Sequence, residues 1–175
     1  MRVIIWTLIL GFGLNAPAST PFKRALTVKT NNYLLDGVVT GGRAGGGFSL
    51  LNVRRSYSKK AQLERVILET GDRLSRPAGL NMGYFQASLD AKEKRIVVNL
   101  AQLNMSLVNE AQIKRIFARS PDVASVEFTV DPEDRSGTMV LNLKHPVKME
   151  VFEVLKQKNP GRVVIDLKPE SKRTL

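Results

Sequence analysis

Cysteine is absent from the 175-residue chain, and histidine occurs once, as His145 with Pro146 directly after it. The first absence excludes a disulfide scaffold, an iron–sulfur site, a thiolate zinc site and a cysteine nucleophile. A single histidine leaves no histidine-based metal cage and no Ser/His/Asp system that recruits several histidines. No G-x-S-x-G nucleophile elbow occurs either. Aromatic residues make up 6% of the chain, and its one tryptophan is Trp6, so platforms for stacking sugars are scarce. Acidic residues are outnumbered, with 16 Asp+Glu against 27 Lys+Arg and a formal net charge of +11. What remains is an ordinary globular composition, 43% hydrophobic and 25% charged, which argues against global disorder and against a polytopic membrane protein. The length suits one domain with a tail. Composition therefore leaves a basic module expected to have no catalytic residues, no metal and no cofactor.

The first residues carry an address. Arg2 precedes the apolar run VIIWTLILGFGL at 3–14, and Ala16-Pro17-Ala18 places small residues at both positions that a signal peptidase reads. Residues 1–18 read as a secretory signal peptide cleaved under the direction of Ala16 and Ala18. The run is shorter than the about 20 apolar residues a transmembrane helix needs, so the mature form is expected to have no transmembrane span. With no cysteine after the run, a lipid anchor at a mature N-terminal cysteine is excluded. An exported basic protein meets cell-wall polymers, lipid headgroups and anionic saccharides before it meets a genome, which argues against nucleic acid as a partner.

Residues 19–47 contain Lys23, Arg24, Lys29, Arg43 and the stretch GGRAGGG at 41–47. They read as a flexible Gly-rich basic arm, since no Lys-Ser/Thr pair follows to make a phosphate loop and the spacing misses the dinucleotide fingerprint. Within the arm, YLLDGVV at 33–39 has the pattern of a short strand. From Phe48 onward, short runs rich in Val, Ile, Leu and Phe alternate with turn formers, the pattern of an all-β sandwich or barrel. Strands are expected at 48–55, 63–70, 84–89, 95–100, 123–130, 138–144, 147–155 and 162–168. In one, Met139, Leu141 and Leu143 share a face; in another, Ala124, Val126, Phe128 and Val130 oppose Ser125, Glu127 and Thr129. One helix interrupts the strands, with Asn109 as N-cap, Gln112 three residues later, Ile113, Ile116 and Phe117 at helical spacing, and Pro121 just past the end. The predicted fold is mainly β: a sandwich of two similar antiparallel sheets, with one short helix linking the halves and a basic tail at 170–175.

An internal repeat supports two similar halves. YFQASLDAKEKRIVVNL at 84–100 aligns without a gap on VFEVLKQKNPGRVVIDL at 151–167, an offset of 67. Phe85/Phe152, Arg95/Arg162, Val97/Val164 and Leu100/Leu167 are identical. Each copy reads as a strand, a polar turn and a second strand, a hairpin used twice. Ile96, Val98 and Leu100 then face the core, as do Val163, Ile165 and Leu167, while Arg95 and Asn99, and equally Arg162 and Asp166, face outward. Arg162 and Asp166 stand four rises apart, about 13 Å, too far for a direct ion pair. Each therefore has a partner on a neighbouring strand or is available to a ligand.

The C-terminal half, TMVLNLKHPVKMEVFEVLKQKNPGRVVIDLKP at 138–169, resembles the AMIN domain, a periplasmic module that accompanies bacterial cell-wall amidases and pilus or secretion secretins. The resemblance lies in an alternating strand, the Pro146-Val147 step, a strand bearing Phe152, and Asn159-Pro160-Gly161-Arg162 leading into the terminal VVID; it extends back to about Leu63, within an AMIN-like unit at 48–169. It implies a two-sheet sandwich in the periplasm that binds peptidoglycan or another anionic envelope polymer and does no catalysis of its own. The chain departs from the family's larger proteins in having no amidase zinc ligands and no secretin domain after Lys168. The candidate ligand-binding residues are Arg95, Asn99, Arg162, Asp166 and Tyr84, whose outward Arg and Asn/Asp groups suit glycan hydroxyls and stem-peptide carboxylates. Two other functions compete. One is an accessory subunit of a pilus or secretion assembly, with the arm of 19–47 added to a neighbour's sheet edge. The other is an enzyme, for which Asp131, Glu133 and Asp134 are clustered but lie in a sequence that reads as a solvated loop.

Overall fold

A computed structural model of the chain describes residues 21–77 and 82–170; the expected signal peptide with Ala16 and Ala18, and the tail beyond Glu170, lie outside them. Eleven strands and one helix follow in the order β1 (Phe22–Arg24), β2 (Gly37–Gly41), β3 (Phe48–Ser58), β4 (Leu63–Gly71), β5 (Phe85–Asp90), β6 (Arg95–Ala101), β7 (Leu103–Ser106), α1 (Glu110–Phe117), β8 (Val123–Asp131), β9 (Ser136–Leu143), β10 (Val147–Val154) and β11 (Gly161–Pro169). They form a β-sandwich. One sheet has six strands in the order β1-β2-β5-β6-β9-β8, the other five in the order β10-β11-β4-β3-β7. Both sheets are mixed, which corrects the expectation of purely antiparallel ones. The exceptions are at the edges, where β1 runs parallel to β2 and β7 parallel to β3. No helix among the described residues is long and apolar enough to cross a membrane.

Alternation builds the core. Met139, Leu141 and Leu143 point inward from β9 as expected, and meet Leu50, Val66, Leu68, Met149 and Ile165 in one buried cluster. On β8 the alternation breaks at a bulge between Val123 and Ser125. Val123, Val126 and Phe128 are buried, but Ala124 is lifted out to solvent and Val130 runs past the sandwich into the open. The helix forms where the sequence placed it. Asn109 accepts from the backbone of Gln112, the Gln112 side chain accepts from the Asn109 backbone, and Ile113 and Phe117 are buried.

The repeated hairpins occupy different sheets, β5–β6 in the larger and β10–β11 in the smaller. Their second strands are equivalent, since Ile96, Val98 and Leu100 and likewise Val163, Ile165 and Leu167 are all fully buried. Their first strands are not. Phe85 pairs with Leu100, but Leu167 pairs with Met149, and Phe152 pairs with Val164. Turn 155–160 is longer than turn 91–94, so the register slips and Phe152 lands on the outer face, where the Arg65 guanidinium lies over its ring.

Residues 21–47 form part of the sandwich, in place of the expected flexible arm. β2 lies inside the larger sheet, and residues 26–34 strap the open edge of β10. Leu34 exchanges both backbone hydrogen bonds with Met149, and the Leu26 carbonyl accepts from Glu153 N–H. The first part of the Gly-rich stretch, 41–43, is a close backbone approach, while Gly45 and Gly46 stand in the open. Arg43 N–H donates to the Met82 carbonyl, Gly42 has φ +71, and a Cβ on Gly42 or on Gly83 would collide with backbone or with the Phe48 ring.

Candidate anion-binding site

The same approach of backbones shapes an open hollow at one end of the sandwich. Its volume is about 1060 Å³, and its lining includes Arg43, Arg73, Arg76, Asn104 and Phe48. A second hollow of about 460 Å³ shares Arg43 and adds Arg24, Thr40 and Tyr84. The arginines arrive from strand ends: Arg24 closes β1, Arg43 follows β2, and Arg73 and Arg76 follow β4. Arg76 is spoken for, donating to Asp72 at 2.9 Å within a turn. Among the described residues, Arg24, Arg43 and Arg73 have no carboxylate within ion-pair distance. Guanidinium groups with free forks around a concave surface are suited to carboxylates or other oxyanions, which they bind in bidentate fashion.

The residues singled out from the sequence are dispersed. Tyr84 lines the second hollow, half-buried beside Arg24 and Arg43. Arg95 and Asn99 stand on the outer face of the six-stranded sheet. Arg95 lies 3.9 Å from its cross-strand partner Asp90, and Asn99 accepts from the Thr138 hydroxyl at 3.1 Å. Arg162 and Asp166 lie on the outer face of the other sheet and are both engaged on β4. Arg162 donates to Glu69 at 3.0 Å, and Asp166 receives Arg65 through two bonds of 2.6 and 2.8 Å. Lys29 of the strap also donates to Asp166. Asp166 is fully buried; burial disfavours its charge, but Arg65 and Lys29 hold its carboxyl below the usual range. The outward stripes are equivalent in sequence but not in surroundings: the first is open, while the second is bonded to β4 and, at Asp166, to the strap.

A second concentration of charge is buried beneath α1. Glu64 points inward from β4 and is fully buried. It accepts from the Ser120 hydroxyl at 2.7 and 2.8 Å, from Arg55 at 2.9 Å and from Asp122 N–H at 3.1 Å. Asp122 faces His145 Nε2 at 3.2 Å with one oxygen, while its other oxygen is buried without a partner. Burial, and then the Glu64 charge, push the Asp122 carboxyl up to about 6, against the opposing pull of His145. These bonds tie the loop after α1 to the sheet. The acidic residues near 131–134 form an exposed turn in which Asp131 accepts from the backbone of Glu133 and Asp134.

Fold and hollow together define a β-sandwich with an arginine-lined end. Neither a protein-family model nor a curated protein sequence matches the chain. The arginines of the hollow were not among the candidates drawn from the sequence. They come from three separate strand ends, β1, β2 and β4, and in the sequence only Arg43, Arg73 and Arg76 are marked, by a neighbouring Gly, Asp or Pro.

Proposed function

We propose that the chain is a non-catalytic, AMIN-like module of an exported cell-envelope protein that binds an anionic wall polymer, with peptidoglycan the first candidate. The observation that carries this reading is the pair of hollows that share Arg43, one lined also by Arg73 and the other by Arg24, three guanidiniums with no carboxylate partner among the described residues. Stem-peptide carboxylates supply the planar oxyanions that such forks take. Asn104 adds an amide and Tyr84 an aromatic edge for the glycan. The competing assembly role requires an arm available to a neighbour's sheet edge, whereas residues 26–34 place their backbone bonds on β10 of the same chain.

Co-sedimentation with purified sacculi across a salt series tests the reading. Wild type is expected to be retained at low salt and released as salt rises. Arg43→Ala/Arg73→Ala should bind at least about tenfold more weakly, the loss of one or two charge-assisted bonds. Arg95→Ala/Arg162→Ala should bind like wild type. Failure of wild type to sediment, or equal retention of the Arg43/Arg73 variant, overturns the proposal.

A further inference from the structure

Side chains on the outer face of the five-stranded sheet fall into rows. Glu150, Asp166 and Arg65 are successive cross-strand partners, and Lys148 and Lys168 make up the row beside them. The first row is balanced. Arg65 grips Asp166, and Lys29 bonds Asp166 and lies 3.8 Å from Glu150. The second is not. Lys148 and Lys168 stand directly opposite each other, the placement in which like charges destabilise an antiparallel pair. Neither meets a carboxylate within ion-pair distance among the described residues. Both ammoniums instead rest near the Tyr33 ring, 5.7 and 5.2 Å from its centroid, with Lys29 at 5.6 Å. Attraction to the ring positions the ammoniums but leaves their charge uncompensated.

We propose that Lys148 and Lys168, with Tyr33 of the strap beside them, form a phosphate-binding subsite separate from the arginine hollow. Lysine acts as a compact point charge with rotatable donors, which suits a tetrahedral oxyanion held between two ammoniums. Arginine's planar fork suits the carboxylates assigned to the hollow. The subsite and the hollow lie at opposite ends of β11, roughly 25 Å apart at about 3.3 Å per residue. The chemistry is that of a phosphate group, free or carried on a lipid headgroup.

Titration of the mature protein with inorganic phosphate, followed by backbone NMR at low ionic strength, is the test. Shifts should concentrate on β10, β11 and residues 29–34, and Lys148→Gln/Lys168→Gln should bind at least tenfold more weakly. Arg43→Ala/Arg73→Ala should keep the response, which separates this subsite from the hollow. Without phosphate, the double lysine variant should melt no lower than wild type, because a repulsive pair has been removed; phosphate should raise the melting temperature of wild type and not that of the double lysine variant. Vesicles of phosphatidylglycerol, set against phosphatidylcholine, distinguish the source. Binding to the former that is lost in the double variant assigns a headgroup, and a phosphate response without vesicle binding assigns free phosphate. Shifts spread evenly over all basic residues, an undiminished response in the double variant, or a double variant that melts below wild type without phosphate would each overturn the subsite.

Discussion

Replacing Asp122 by asparagine should stabilise the protein at neutral pH, and the gain should grow as pH rises. The folded protein holds the Asp122 carboxyl at about 6 against an ordinary value of 3.8, because the group is buried and faces Glu64. A folded value above the unfolded one means that the folded state binds the proton more tightly. The associated stability is complete below about pH 3.8 and is lost as pH passes through about 6. A gap of about two units corresponds to about 3 kcal/mol. His145, on the other side of the carboxyl, is 39% exposed, and screening by the solvent it borders reduces this to about 1–2 kcal/mol. Asparagine keeps the shape, removes the like charge and presents an N–H toward Glu64. Urea unfolding of wild type and Asp122→Asn from pH 5 to 8 is the assay. The variant should gain about 1–2 kcal/mol at pH 8, roughly 2–8 °C in melting temperature, and about half as much at pH 5. A variant less stable than wild type at pH 8, or a difference that does not change with pH, would refute the reasoning.

Asp166→Asn should cost about 3–5 kcal/mol by leaving Arg65 and Lys29 without their shared anion, and hydrogen exchange should rise first in residues 26–34. The carboxyl of Asp166 is held below its usual range, so its contribution is present above the unfolded value and is lost as pH falls through the folded one, the reverse of Asp122; on acid titration the stability difference between wild type and each variant should change in opposite directions for the two. Gly83→Ala would drive a Cβ into the Phe48 ring and should destabilise by about 1–3 kcal/mol in chemical denaturation. Asn109→Ala removes the reciprocal cap of α1 and should cost about 1 kcal/mol by the same measurement, with no effect on sacculus binding.

Strands with one wet face were legible because their side chains alternate. Met139, Leu141 and Leu143 announce β9 without help from the rest of the chain, and the Asn109–Gln112 pair fixes the start of α1. Strands β1 and β7 were not legible. They are three and four residues long, too short for a period, and they exist because a neighbour's edge is unpaired. GGRAGGG was read only in part for a related reason, since glycine signals permissive backbone whether the chain is loose or pressed against another backbone. Here 41–43 are pressed, against Met82 and Gly83, while Gly45 and Gly46 stand in the open. The repeat was visible in composition, but its register was decided by turn length, which moved Phe152 to the face opposite that of Phe85. The hollow was invisible because its arginines are brought together only by the ends of separate strands.

The basic excess becomes directional once the described residues are placed on the sandwich. On the outer face of the six-stranded sheet, Arg95 faces Asp90, Glu127 accepts from Asn142, and Asn99 from Thr138; between them lie Val97 and Val140, and basic and acidic groups are close to balance. The outer face of the five-stranded sheet carries Arg54, Arg65, Arg162, Lys148 and Lys168 against Glu69, Glu150 and Asp166, and the strap adds Lys29. Its strands end in the arginine hollow on one side and the lysine pair on the other. On the proposed reading, a polyanion therefore meets the protein along β11 and not across β6, and two weak contacts roughly 25 Å apart act together through effective concentration. Affinity for a long polymer should then exceed affinity for its fragments, and neutralising Arg95 should leave both unchanged.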